Sequence, residues 1–225
     1  MNVIMITLLV IGLMASVIEA LSDYYVWISV YVIIVAMLPF YIKLERKPLH
    51  SREMVLIASM AALAAVSRVP FASIPSVTPT SFVIIVSAIV FGADAGFLIG
   101  ATAALVSNFM LGQGPWTPWQ MFGWGMMGAT AGWLRTSLLR TTLARIVFGC
   151  VWGFLFGWIM NIPYLFGFVS VVTWTSVLTV HMASFYFDLA HAISNVLFLL
   201  LFGKVWIRIL QRYHRKYEDN TINHK

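Results

Sequence analysis

Apolar residues run along this chain in blocks too long and too unbroken to be single faces of a soluble fold. A helix needs about 20 mostly apolar residues to cross about 30 Å of hydrocarbon. Eight blocks approach that length, near 3–21, 24–42, 53–67, 80–92, 94–110, 119–138, 143–160 and 177–203. They predict an all-α fold, a polytopic helical bundle in a membrane. The block at 80–92 is short, and only Gly92-Ala93-Asp94 separates it from the next. That spacing predicts a helical hairpin tilted or shielded by its neighbours. The first block has no basic residue before Lys43, so it lacks the positive flank of a cleavable signal and reads as a membrane helix. The polar connection 43–52 divides an N-terminal helix pair (1–42) from a six-helix core (53–205), and 206–225 is a basic tail.

Composition removes whole classes. The 225 residues are 61% hydrophobic and 10% charged, with a mean hydropathy of +0.90, which excludes a water-soluble enzyme. The net charge of +6 would suit nucleic acid, but the cations sit in short clusters between apolar blocks, where topology signals lie. Lys43, Arg46, Lys47 and Arg52 form one cluster, Arg135, Arg140 and Arg145 a second, and Lys204, Arg208, Arg212, Arg215, Lys216 and Lys225 a third. Eight crossings with both termini in the cytoplasm put all of these inside. The remaining cation, Arg68, falls at the outer end of the third block, beside Pro70, Pro75 and Pro79. The basic tail is read as orientation and attraction to anionic lipid, with no nucleic-acid partner. A lone Cys150 allows neither an internal disulfide nor a thiolate metal cluster.

Polar residues inside a bilayer are costly, so each is a candidate for function or for a helix contact. In the last block His181, Ser184, Asp188, His191 and Asn195 are spaced by 3, 4, 3 and 4, which places them on one helical stripe. That stripe faces protein or water: it is either a hydrogen-bonded seam or a ligand-facing wall. No Cys or Glu accompanies it in the outer half, so no metal is assigned. A second constellation is the outer run Gly112-Gln113-Gly114-Pro115-Trp116-Thr117-Pro118-Trp119-Gln120. Its glycines and prolines fix a compact loop, and Pro118 suits the first turn of the next helix. Indoles beside Gln113, Thr117 and Gln120 combine flat apolar contact with oriented hydrogen bonds, as small-molecule pockets do; interfacial anchoring is the other reading of Trp116. Asn108 precedes this loop, and Asn161 and Tyr164 open the next outer segment. Aromatic and amide groups thus converge on one outer mouth, with Arg68 as a cationic edge able to hold a carboxylate or phosphate.

The third block carries overlapping small-xxx-small pairs, Ala58 with Ala62 and Ala61 with Ala65, which let another helix approach closely, inside the chain or on another subunit. Glycines at 92, 96 and 100, and at 123, 125, 128 and 132, read as internal packing. The chain has no Walker A sequence, H-E-x-x-H or G-x-S-x-G, so it neither hydrolyses ATP by a P-loop nor carries a familiar hydrolase site. A small membrane protein with an outward pocket and no motor reads as a binding subunit that borrows one. The competing class is an intramembrane enzyme with Asp188 and His191 as an acid and base pair; a third reading is a lipid-packed assembly subunit.

Residues 51–205 resemble the substrate-binding S components of energy-coupling factor (ECF) transporters. The resemblance rests on the alanine-rich first core helix, on Phe82 to Gly132 with its Trp-Thr-Pro-Trp-Gln run, and on Phe187-Asp188-Leu189-Ala190-His191-Ala192-Ile193-Ser194-Asn195. It implies a six-helix bundle in the bacterial plasma membrane, with an outward pocket that topples inward. It implies as partners a transmembrane coupling protein and two cytoplasmic ATPases, which bind the ATP, and no prosthetic group on this chain. Docking on the coupling protein then falls to Ala58, Ala61, Ala62 and Ala65. The pocket falls to Arg68, Asn108, Gln113, Trp116, Thr117, Trp119, Gln120, Asn161, Tyr164, His181, Asp188, His191 and Asn195. Among such proteins the loop and the Asp-x-x-His-x-x-x-Asn ending look most like the cobalamin-specific members, so vitamin B12 is the expected ligand; another vitamin or a queuosine precursor is the alternative. The first two helices are an addition to the usual core.

Overall fold

The computed structural model describes residues 51–222 apart from 170 and 171, together with Tyr24, Trp27 and scattered positions from 31 to 42. The expected helix at 3–21, most of 24–42 and the connection 43–50 lie outside the described residues, as does the end of the basic tail.

The described elements are all helical. They are α1 (Ser51–Val66), a short 3-10 turn at Val69–Phe71, α2 (Thr80–Phe91), α3 (Ala93–Leu111), α4 (Thr117–Trp133), α5 (Arg135–Arg140), α6 (Thr142–Phe168) and α7 (Trp174–Ile222). Among the described residues four segments are long and apolar enough to cross a membrane: Glu53–Phe71, Ala93–Leu111, Thr142–Gly167 and Trp174–Arg215. α2 is too short to do so unaided at about 1.5 Å per residue. It is instead the buried axis of the bundle, touching α1, α3, α4 and α7; Ile84, Ile85, Val86 and Ala88 have no exposed surface. With lipid excluded, even Ser81 and Ser87 are tolerated on it.

Two helix pairs pack most closely, α3 with α4 and α6 with α7. In the first, Gly96 lies on the backbone of Gly128 and Gly100 on that of Trp124, as the glycine spacing predicted. In the second, a ridge the sequence reading overlooked does the same: Gly149, Gly153 and Gly157 of α6 meet Asn195, Ala192 and Asp188 of α7. The N-terminal addition touches this core, for Phe40 is stacked on Phe97 with centroids 3.8 Å apart.

The boundaries differ from expectation in three places. The block expected at 119–138 breaks at Leu134 into α4 and α5. Buried Arg145 donates to Leu138 O (2.7 Å) and to Thr142 Oγ1 (2.8 Å), satisfying a carbonyl at the end of α5; this cation of the second cluster is a structural ligand. α6 runs to Phe168 instead of ending near 160, carrying Pro163 inside it. The proline costs a backbone hydrogen bond, but Ile162 and Phe166 pack around Trp119, and that burial sustains the last turns. α7 continues past 203 to Ile222, because no proline or glycine follows Gly203 and the polar residues beyond it are mostly good helix formers.

Candidate functional site

The loop from Ser67 to Pro79 turns back over the bundle, and beneath it opens a cavity of about 390 Å³. The size is within the roughly 300–1,000 Å³ of small-molecule sites. One wall is the loop itself, Phe71 to Thr78, with Arg68 at its root; the others are Leu111 of α3, Gln120 and Trp124 of α4, Phe156 and Gly157 of α6, and Phe187, Asp188 and His191 of α7. Ser76 holds the loop's tightest point at φ 60°, a conformation uncommon for a residue with a side chain. Thr78 anchors the loop below: its N–H donates to Ser194 Oγ (3.1 Å) and its carbonyl accepts from the same hydroxyl (3.3 Å).

Aromatic rings give the cavity its shape. Trp124 and Phe156 stack with centroids 5.1 Å apart, and the His191 ring meets Phe156 edge-on at 5.0 Å. The Arg68 guanidinium lies 5.2 Å from the centroid of Trp124, within the range of a cation–π contact. Polar groups then enter through three chains of hydrogen bonds. On one wall Thr117 donates to Gln113 Oε1 (2.8 Å), Asn108 Nδ2 donates to Thr117 Oγ1 (3.0 Å) and to Gln120 Oε1 (2.7 Å), and Arg68 Nη1 donates to Asn108 Oδ1 (2.6 Å) and Ser107 Oγ (2.9 Å). On the opposite wall Asn161 Nδ2 donates to Ser184 Oγ (2.9 Å), which donates to Asp188 Oδ2 (3.2 Å). Across the base, Trp124 Nε1 donates to Ser81 Oγ (3.2 Å), which bonds His191 Nε2 (2.8 Å).

The expected site residues therefore separate. Arg68, Gln120, Asp188 and His191 line the cavity. Asn108, Thr117 and Gln113 stand behind Gln120 and Arg68 and aim them. Asn161 stands behind Asp188. The other members point elsewhere. Trp119 is completely buried in a cluster with Phe166. Trp116 is 40% exposed and folds back on Gly114 of its own loop. Tyr164 is exposed on the extended α6. His181 bonds Val177 O of its own helix (2.9 Å) and Asn195 bonds Gly149 O (3.0 Å), so the two ends of the stripe are seam. The sequence reading missed Trp124, Ser81 and the phenylalanines. Trp124 was within reach of it, since it stands one turn from Gln120 on the same face of α4.

The alanine pairs part as well. Ala61 and Ala65 are buried in the core of the described residues, on a helix that packs against α3. Ala58 and Ala62 are exposed on the face that also carries Val55 and Val66.

The comparison with known families now decides the class. A family model described as "ECF-type riboflavin transporter, S component" matches residues 48–208. The chain belongs to the ECF S components. It is thus a membrane-embedded, substrate-binding subunit of a vitamin transporter, and it is not an enzyme. The acid and base reading of Asp188 and His191 falls with that, and the geometry agrees: each is bonded to its own serine on a different chain of hydrogen bonds. The cobalamin expectation finds no support in the match, whose family is named for riboflavin. No curated protein and no solved structure matches this S component.

Proposed function

We propose that this S component captures a flat heteroaromatic vitamin, riboflavin in the first instance, and passes it inward with a coupling protein and two ATPases. The observation that carries the reading is the cavity itself: a stacked Trp124 and Phe156, with Arg68 on the indole, lining a space of about 390 Å³. Rings favour a planar, polarisable ligand, and polar groups at the edge favour one with carbonyl and N–H functions. The volume is near the lower end of small-molecule sites, which suits a tricycle better than a corrinoid with its amide arms and nucleotide loop. The family's name points the same way.

Orientation follows the cations, with both termini cytoplasmic and the Arg68 loop outside. Docking on the coupling protein falls to Ala58 and Ala62, which combine small side chains with exposure.

Purified protein titrated with riboflavin should quench flavin fluorescence with saturable, one-to-one stoichiometry. Cobalamin bound in its place, or neither vitamin bound, overturns the assignment. In cells that supply the ECF module, Ala58→Leu with Ala62→Leu should abolish riboflavin uptake and leave binding by the purified chain unchanged; uptake at the parent rate removes the docking role.

A further inference from the structure

The three chains of hydrogen bonds do more than hold side chains still. They fix which cavity-facing atoms can donate and which can accept. Trp124 Nε1 has only a proton to give, so Ser81 Oγ accepts from it. The hydroxyl of Ser81 is fully buried, and among the described residues His191 Nε2 is the acceptor within its reach. Leaving that hydroxyl unpaired would be costly, so His191 Nε2 accepts and its proton sits on Nδ1. That atom has no partner among the described residues. His191 therefore presents a donor to the cavity.

The same logic fixes the other walls. Asn108 donates to Gln120 Oε1, so the Gln120 amide nitrogen is what remains for a ligand. Arg68 uses Nη1 on Ser107 and Asn108, and its other nitrogens can only donate. Asp188 has the opposite character. Asn161 donates to Ser184, and the Ser184 hydroxyl, shared with His181 O (3.2 Å), donates to Asp188 Oδ2. Both links push protons toward the carboxylate, whose Oδ1 is left over Gly157 at the cavity wall. Among the described residues neither Arg68 nor Asp188 is in an ion pair, although both line one cavity.

We infer that Asp188 is the specificity-determining acceptor of this site and reads an N–H flanked by carbonyl groups, the imide edge of a fused pyrimidinedione, while His191, Gln120 and Arg68 donate to the carbonyls. The inference rests on the flavin reading above and deepens it. An imide offers acceptor, donor and acceptor in order along one edge. Among its charged and amide side chains the site offers donors and one carboxylate, and a ligand without a central N–H would leave Asp188 Oδ1 unmet. Rejection by an unmet buried polar group is stronger than rejection by shape.

The test compares riboflavin with 3-methylriboflavin, in which the imide N–H is replaced by N–CH₃, on the parent protein, Asp188→Ala and Asp188→Asn. In the parent the methyl group should weaken binding about tenfold to a hundredfold, the loss of a hydrogen bond to a charged acceptor. Asp188→Ala should bind riboflavin more weakly and the two ligands equally. Asp188→Asn, which keeps an acceptor and the side-chain volume, should retain part of the discrimination. Methylation that costs the parent and Asp188→Ala the same factor overturns the role of Asp188. Failure of the parent to bind riboflavin at all overturns the flavin reading, and this assignment with it, so the two failures are told apart by the parent's first titration.

Discussion

Two buried asparagines, Asn108 and Asn195, are alike in burial and unlike in what they hold. Asn108 has 1% of its surface exposed and Asn195 none. Asn195 donates to a backbone carbonyl, Gly149 O, and among the described residues its own Oδ1 has no partner; it fastens α7 to α6 and stops there. Among the described residues the Asn108 side chain bonds side chains, Thr117, Gln120 and Arg68, and two of those end at the cavity. Polarity inside a membrane therefore does not by itself mark a ligand site. What separates the two is whether the hydrogen bonds end on the backbone or continue through side chains to an open atom.

Replacing each asparagine by leucine, close to it in volume, should break the comparison most visibly. Asn108→Leu leaves the Arg68 guanidinium on Ser107 Oγ and the Trp124 ring alone and lets the Gln120 amide rotate, so that both donors are less fixed. Riboflavin affinity should fall about a hundredfold, the loss of two oriented hydrogen bonds. Stability in detergent should fall by about 1–3 kcal/mol, since hydrogen bonds between membrane helices are individually modest. Asn195→Leu should cost a similar amount of stability and leave affinity within about twofold, a threshold well inside 1.4 kcal/mol per decade. Thermal unfolding and ligand titration on both variants check this. Equal loss of affinity in the two would mean that the distinction between seam and relay is false.

This distinction marks where the sequence stops being legible. The all-helical class, the central short helix and the small-residue contacts between α3 and α4 follow from apolar block length and glycine spacing, because a membrane leaves the backbone few alternatives. The α7 stripe follows from periodicity too, but periodicity assigns a face and not a partner. His181 and Asn195 share that face with Asp188 and His191 and differ in their partners: Val177 O one turn back and Gly149 O across the α6 contact, against Ser184 one turn back and Ser81 of α2. The i−4 partners Val177 and Ser184 lie on α7 itself, but Gly149 and Ser81 come from tertiary packing. Trp119 and Trp124 make the same point, for both are indoles on α4, yet Trp119 is sealed behind Phe166 and Trp124 lines the cavity. The extension of α6 past Pro163 was unreadable because local proline chemistry argued one way and burial around Trp119 the other.

Gly157 gives the smaller and sharper test of the relay. It is the last of the three glycines by which α6 approaches α7, and a Cβ built there would fall on Asp188 Oδ1. At Gly153 the corresponding Cβ would meet the backbone of Ala192, which cannot move without parting the helices. At Gly157 the obstacle is the far end of a side chain, which can swing away. Gly157→Ala should therefore cost little stability: alanine is favoured over glycine in a helix by about 1 kcal/mol, which offsets a displacement of similar size. Affinity for riboflavin should nevertheless fall about tenfold, because the displaced carboxylate no longer faces the imide, a loss of one hydrogen bond to a charged group. In Asp188→Ala there is no carboxylate to displace, so adding Gly157→Ala should change affinity by less than about twofold, the signature of two mutations acting through one interaction. Independent, additive losses from the two substitutions would show that Gly157 serves helix packing alone and that the cavity is read by some group other than Asp188.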